Sequence, residues 1–300
     1  MIKHLSEKLQ LSERSIQNTI ELLDEGCTIP FIARYRKERT GSLDEVQIAS
    51  ISEMSDKWRE MEKRKDTIRK TITEQGKMTP ELEKRIAECD NAETLEDIYL
   101  PFKPKRRTKA QVAREQGLEP LATLIMLGRE QRPEEAAKRF VKGEVKSAAD
   151  AIQGAQYIIA ETVSEDERSR HTVRRQFERD AIITSKVVKA KADTEEAAKY
   201  KDYFDWQEPL RRCPSHRMLA MRRGEAEGIL RVSISTDDEE CIERLKRNNV
   251  RCQGRCATLY REAVEDSYKR LLQPSIENEF ASNSKEKAEE EAIRVFADNL

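Results

Sequence analysis

The chain has 300 residues and 34.8 kDa, with 56 Lys+Arg against 57 Asp+Glu and a net charge of −1. Charged residues make up 38% where about 25% is usual, aromatics only 5%, with 10 Gly and 9 Pro, which argues against a turn-rich sandwich or barrel and for long, salt-bridged helices. No apolar run approaches the ~20 residues a bilayer span needs, and the charged opening Met1–Lys8 is unlike a signal peptide, so a cytoplasmic protein away from membranes is expected, its six cysteines reduced.

Helix-start patterns, a side-chain oxygen followed by acids, occur at 42–45, 147–150, 164–167, 193–196 and 237–240. Gly26, Gly76 and Gly117 each follow a helical stretch and read as stops. The clearest element runs from about Ser42 to Gln75. Ile51, Met54, Trp58, Met61, Lys65, Ile68 and Ile72 share one seam of heptad character. Such a helix is about 50 Å long. It reads as a spine packed within the chain, with a coiled-coil dimer as the alternative. A cluster of short helices follows: one capped by Thr79 with Pro80 in its first turn, one over Thr94–Leu100 ended by Pro101 and Pro104, and one from Thr108 to Gly117. Pro120 then opens an apolar segment to Leu127. Further helices are predicted over 133–141, 148–162, 165–181, 238–247, 256–272 and 275–298. Two segments read as strands, 182–188 and 229–234. The acidic tract Ser284–Leu300 has no terminal cap, so continuation into a longer chain is expected. The fold class is mainly α: a multi-helix array with one long central helix, a helix-turn-helix-like subdomain and at most two short strands.

Nucleotide-binding and hydrolase motifs such as G-x-x-x-x-G-K-[ST], H-E-x-x-H and G-x-S-x-G do not occur, and the chain has three histidines, so an enzyme is not expected. Cys213-Pro-Ser-His216 and Cys252-Gln-Gly-Arg-Cys256 could together offer four zinc ligands. Arg211, Arg212, Arg217, Arg251 and Arg255 crowd both half-sites and repel a cation, so no metal and no other cofactor is expected. The bases are unevenly spread. Residues 101–115 hold six against one acid, and 34–39, 211–223 and 244–255 form further blocks. Each could neutralise phosphates or pair with the acidic helices. The stretch 103–109 stands apart because two prolines hold it extended. Lys103, Lys105, Arg106, Arg107 and Lys109 are the candidate contacts for phosphate or an acidic partner.

Several long strings resemble the bacterial Tex (transcription accessory) proteins. They are Thr28-Ile-Pro-Phe-Ile-Ala-Arg-Tyr-Arg-Lys-Glu38, Leu95-Glu-Asp-Ile-Tyr-Leu-Pro-Phe-Lys-Pro-Lys-Arg-Arg-Thr-Lys-Ala110, Gly117–Ala122, Tyr200–Phe204, Ser215–Ala220 and Arg223–Gly228. The resemblance implies nucleic-acid (RNA or DNA) binding linked to transcription, with RNA polymerase as a candidate partner and kinship to a eukaryotic elongation factor that chaperones histones. It also implies a helical N-terminal half, followed in the full protein by a RuvC/RNase H-like YqgF domain, a helix-hairpin-helix region and an OB-fold RNA-binding domain. Those later domains have no counterpart in these 300 residues. On this resemblance, residues 62–122 would be the helix-turn-helix-like subdomain, set within a helical region of 1–61 and 123–300. Two functions remain open: a module that helps grip nucleic acid or polymerase, or a scaffold that packs on the C-terminal domains of the full-length protein. A carboxylate nuclease would belong to the YqgF domain.

Overall fold

The computed structural model describes residues 1–298; Asn299 and Leu300, the end of the acidic tract, lie outside the described residues. The chain forms two compact units, Met1–Lys103 and Pro104 onward.

The first unit is helical throughout. It runs α1 (Ile2–Leu9), α2 (Glu13–Asp24), α3 (Ile29–Tyr35), α4 (Lys37–Thr40), α5 (Glu45–Glu74), α6 (Pro80–Glu88) and α7 (Ala92–Tyr99), closed by a 3-10 turn over Leu100–Phe102. Local chemistry sets the boundaries. Asp44, not Ser42, caps α5: its carboxylate accepts from Gln47 N at 2.7 Å while the Gln47 side chain accepts from Asp44 N at 3.1 Å. Thr79 caps α6, with Pro80 at a position whose N–H would have no partner.

The heptad seam of α5 is covered within the chain, in two places. Its first half, with Ile48 and Ile51, packs with Leu5, Ile16, Ile20, Leu22 and Ile32. Its second half, with Ile68 and Ile72, packs with Leu82, Ile86, Leu95, Ile98 and Tyr99. Lys65, on the same seam, is buried. Its Nζ donates to the Ala87 carbonyl at 3.1 Å, near the C-terminal end of α6, and meets Glu62 at 3.0 Å. A cation suits that end of a helix.

The second unit is built around α11 (Ala148–Glu165), whose buried side chains cover most of its circumference, as expected of a core helix. Before it come α8 (Lys109–Glu115), α9 (Glu119–Leu127) and α10 (Pro133–Ala137). After it come α12 (Glu167–Asp180), β1 (Ile182–Val187), β2 (Asp205–Pro209), α13 (Ser215–Ala226), β3 (Leu230–Ser235), α14 (Asp238–Asn249), α15 (Gly254–Ser267) and α16 (Gln273–Asp298), with a π-helical stretch over Tyr268–Leu272. The stretch 62–122 is shared between the units: α5 to α7 lie in the first, α8 and α9 in the second.

The mainly-α class holds, but the sheet has three strands, not two. The order is β2-β1-β3, antiparallel throughout, with Ile183 opposite Ile234 and Ser185 opposite Val232. The unexpected strand is β2. Its sequence, Asp-Trp-Gln-Glu-Pro, is polar and ends in proline, which only an edge strand tolerates. Its half-buried residues are Trp206 and Glu208, and Glu208 is matched by Arg217 at 2.6 Å. At the other edge, β3 has two amides closed by carboxylates. Val232 N donates to Glu225 Oε1 at 3.3 Å and Ile234 N to Glu277 Oε1 at 3.1 Å.

Long-range polar contacts run through the second core. Gln156 Nε2 donates to the Leu259 carbonyl at 3.1 Å, Ser267 Oγ to the Ala160 carbonyl at 2.7 Å, and Tyr268 Oη to Asp238 at 2.6 Å. Arg170 and Arg174, both buried on α12, reach Glu279 of α16 at 3.5 and 2.5 Å.

Candidate functional site

The basic stretch 103–109 is not one uniform patch. Lys103 closes the first unit. It caps the 3-10 turn, is exposed, and has no ion-pair or hydrogen-bond partner for its ammonium among the described residues. The other four candidates open the second unit. There Thr108 anchors the chain: its hydroxyl oxygen accepts from Gln111 N at 3.0 Å, capping α8, and its hydroxyl donates to Glu161 at 3.0 Å.

Glu161 and Glu165, on the last turns of α11, take up part of the basic charge. Lys105 pairs with Glu165 directly and lies 3.8 Å from Glu161. Arg114 Nη1 meets Glu161 at 2.5 Å. Burial opposes charge on Glu161, but the Arg114 hydrogen bond, the Lys105 charge and the Thr108 hydroxyl together hold its carboxyl below the usual range. Burial dominates at Glu165 and pushes its carboxyl up, with Lys105 offsetting only part. Lys105 is therefore a structural cation, neutralised where phosphate contact would need it free.

The remaining side chains divide. Arg107 is exposed but paired with Glu115 at 2.8 Å. Lys109 Nζ sits 4.8 Å from the ring centre of Tyr157, whose other cation is Arg270 at 5.5 Å. Arg106 is exposed, with no partner among the described residues. Arg106 and Lys109 thus keep a positive charge uncancelled by a carboxylate, and Arg107 shares its own with one.

About half of the bases in the other blocks are matched by carboxylates inside their units. Arg39 lies 3.6 and 3.8 Å from Glu21 and Glu25, and Arg34 lies 3.7 Å from Glu45. Arg217 pairs with Glu208, Arg222 with Glu225 at 2.7 Å, Arg244 with Glu240 at 2.5 Å, Lys246 with Glu243 at 3.1 Å and Arg255 with Glu134 at 2.5 Å.

The cysteines of the zinc-like spacings have separate surroundings. Burial and the Glu208 carboxylate push the Cys213 thiol up to about 12, so it stays protonated. Cys256 is buried and donates to the Glu130 carbonyl at 3.1 Å. Among the described residues no three His, Cys, Asp or Glu side chains are placed to hold a metal ion. Nor is any helix there long and apolar enough to cross a membrane.

Comparison with known proteins covers nearly the whole chain. The family model described as Tex-like protein N-terminal domain matches residues 1–73, and the Tex central region-like model matches residues 128–296. The uncharacterized protein YdcI of Bacillus subtilis is 39% identical over 99% of this chain and 42% of its own length. The transcriptional accessory protein Tex of Neisseria gonorrhoeae is 40% identical over 99% of this chain and 40% of its own length. The S1 RNA-binding domain-containing protein 1 of Pongo abelii is 29% identical over the full chain and 31% of its own length. The chain therefore spans less than half the length of these relatives.

Proposed function

The chain belongs to the Tex family, and from that membership we propose that it is a transcription accessory module that contributes nucleic-acid contact without catalysing a reaction. The supporting observation is the exposed stretch 103–109, where Lys103 and Arg106 keep free charges and Lys109 projects over Tyr157. These contacts neutralise phosphates and read no bases. The relative named for an S1 RNA-binding domain points in the same direction. RNA polymerase as the protein partner, and the cytoplasm as the setting, rest on the same membership.

The test is a salt titration of nucleic-acid binding to the chain and to Lys103→Ala/Arg106→Ala/Lys109→Ala. Lys105 is left intact because its loss disturbs Glu161 and Glu165. Weaker binding with a shallower salt slope is expected. Equal binding at every salt concentration discards the reading. It leaves the scaffold alternative, which the carboxylate pairing of Arg217, Arg244 and Arg255 supports.

A further inference from the structure

A second basic feature, in the second unit, joins part of the 244–255 block to residues of α12 that the sequence did not single out. Helices α12 and α14 pack antiparallel. Asn249 Nδ2 donates to Ser169 Oγ and Asn248 Nδ2 to Thr172 Oγ1, both at 3.1 Å, at one end, and Gln176 Nε2 donates to Glu240 at 2.9 Å at the other. Above these contacts lies an open cleft of about 870 Å³, whose rims include His171, Arg175 and Arg179 from α12 and Arg244 and Arg247 from α14.

The two rims are only partly neutralised. Arg179 pairs with Asp180 at 2.7 Å and shares Glu240, at 3.2 Å, with Arg244, at 2.5 Å, and Glu178 adds a further carboxylate to the lining, so the charge left over is that of Arg175 and Arg247. Arg175 and Arg247 are exposed and have no carboxylate partner among the described residues. His171, Arg175 and Arg179 recur every four residues, which places them in one row along the helix. The row spans about two turns, roughly 12 Å. Apart from the His171 imidazole the lining offers no ring on which a base could stack, and Asn248 and Thr172 already bond each other. A ligand held here is held by its negative charge, and a row of spaced guanidiniums suits a row of spaced phosphates.

We infer that the α12–α14 cleft binds the phosphodiester backbone of single-stranded nucleic acid, without regard to sequence. Along α12 the row advances about 6 Å per step, close to the spacing of successive phosphates in one extended strand. The site goes beyond the 103–109 contacts and does not depend on them.

The test measures binding of the chain to a fluorescent 15-nucleotide oligo(U), the same length of oligo(dT), and a 15-base-pair duplex. Arg175→Glu/Arg247→Glu is compared with wild type, with Arg175→Gln/Arg247→Gln as the milder pair and thermal unfolding as the folding check. Neither arginine has a carboxylate to lose, so both pairs should fold as wild type does. Single-strand affinity should fall at least tenfold with Glu and less with Gln. The salt slope should fall by about 1.4, two contacts at ~0.7 each. Lys103→Ala/Arg106→Ala/Lys109→Ala run alongside separates the two sites: if only that variant loses affinity, the cleft is not a site and the earlier reading stands. Cleft variants that bind single strands within twofold of wild type overturn the inference. So does a wild-type chain that ignores oligonucleotides and binds inorganic tripolyphosphate alone.

Discussion

The two units hold themselves together in different ways. In the first, a 30-residue helix is shared by two small apolar clusters, one near each end. Most of its ion pairs are exposed, such as Arg59–Asp24 at 2.7 Å and Lys57–Glu53 at 2.6 Å, and pairs of that kind contribute about 0–1 kcal/mol each. In the second, one continuous core surrounds α11, and buried polar groups join elements about a hundred residues apart, as Gln156 does with Leu259 and Arg174 with Glu279. The first unit should fail piecemeal and the second as a whole. A small cluster can open while its neighbour on the same helix stays closed, whereas a buried ion has nowhere to relax.

The largest test of that contrast is Glu279→Ala. It removes the carboxylate that Arg170 and Arg174 share and should cost the second unit about 4 kcal/mol in urea unfolding. Amide exchange should rise across all its core helices together; a rise confined to α16 would mean the core is divided after all. Next is Ile16→Ala, at a fully buried site of the first cluster, expected to cost about 3 kcal/mol. Exchange should rise in α1 to α3 and stay slow in α6 and α7. Equal acceleration in both would show the clusters to be one cooperative body.

Gly128→Ala should cost about 2 kcal/mol, since Gly128 ends α9 at φ +63° and an added Cβ would lie 2.3 Å from Cys252 Cβ. A thermal melt matching wild type would show that the turn can shift.

The smallest effect, at Glu165, is most diagnostic when set beside Glu161. Glu161 is held below its ordinary range, so its stabilisation is present above about pH 4.5 and is lost as pH falls through its folded value. Glu165 is raised, so its charged form costs stability at neutral pH, and that cost disappears on acidification. At pH 7, Glu161→Gln should lose about 2 kcal/mol and Glu165→Gln no more than about 0.5 kcal/mol. The Glu161→Gln deficit should shrink towards pH 4. Equal losses at pH 7 would mean that Lys105 is held by Glu165 rather than by the pair.

The same division governs what can be read from the sequence. In the first unit, helix limits follow from neighbouring residues. Thr79 with Pro80, Asp44 with Gln47 and the spacing from Ile51 to Ile72 are all local signals, and α5 matches them within a few residues. In the second unit the decisive partners are remote. Strand β2 carries too much charge to be recognised until Arg217 matches Glu208 and β1 pairs alongside. The basic types at 103–109 are plain in the sequence. That Lys105 is consumed there by Glu161 and Glu165 is not, because those carboxylates lie some sixty residues away on α11. Likewise, His171, Arg175 and Arg179 show their four-residue spacing in the sequence, but only packing brings Arg244 and Arg247 opposite.

The carboxylates on the outer edge of β3 carry a consequence for handling the protein. An unpaired strand edge is a template on which another chain can polymerise. Here Glu225 and Glu277 occupy the amides of Val232 and Ile234, so they act as chain terminators for the sheet. Glu277 is supplied by the first turns of α16. A fragment cut before that helix would expose the Ile234 amide beside the apolar face of β3. Such a fragment should form more insoluble β-rich aggregate on concentration than the longer chain does.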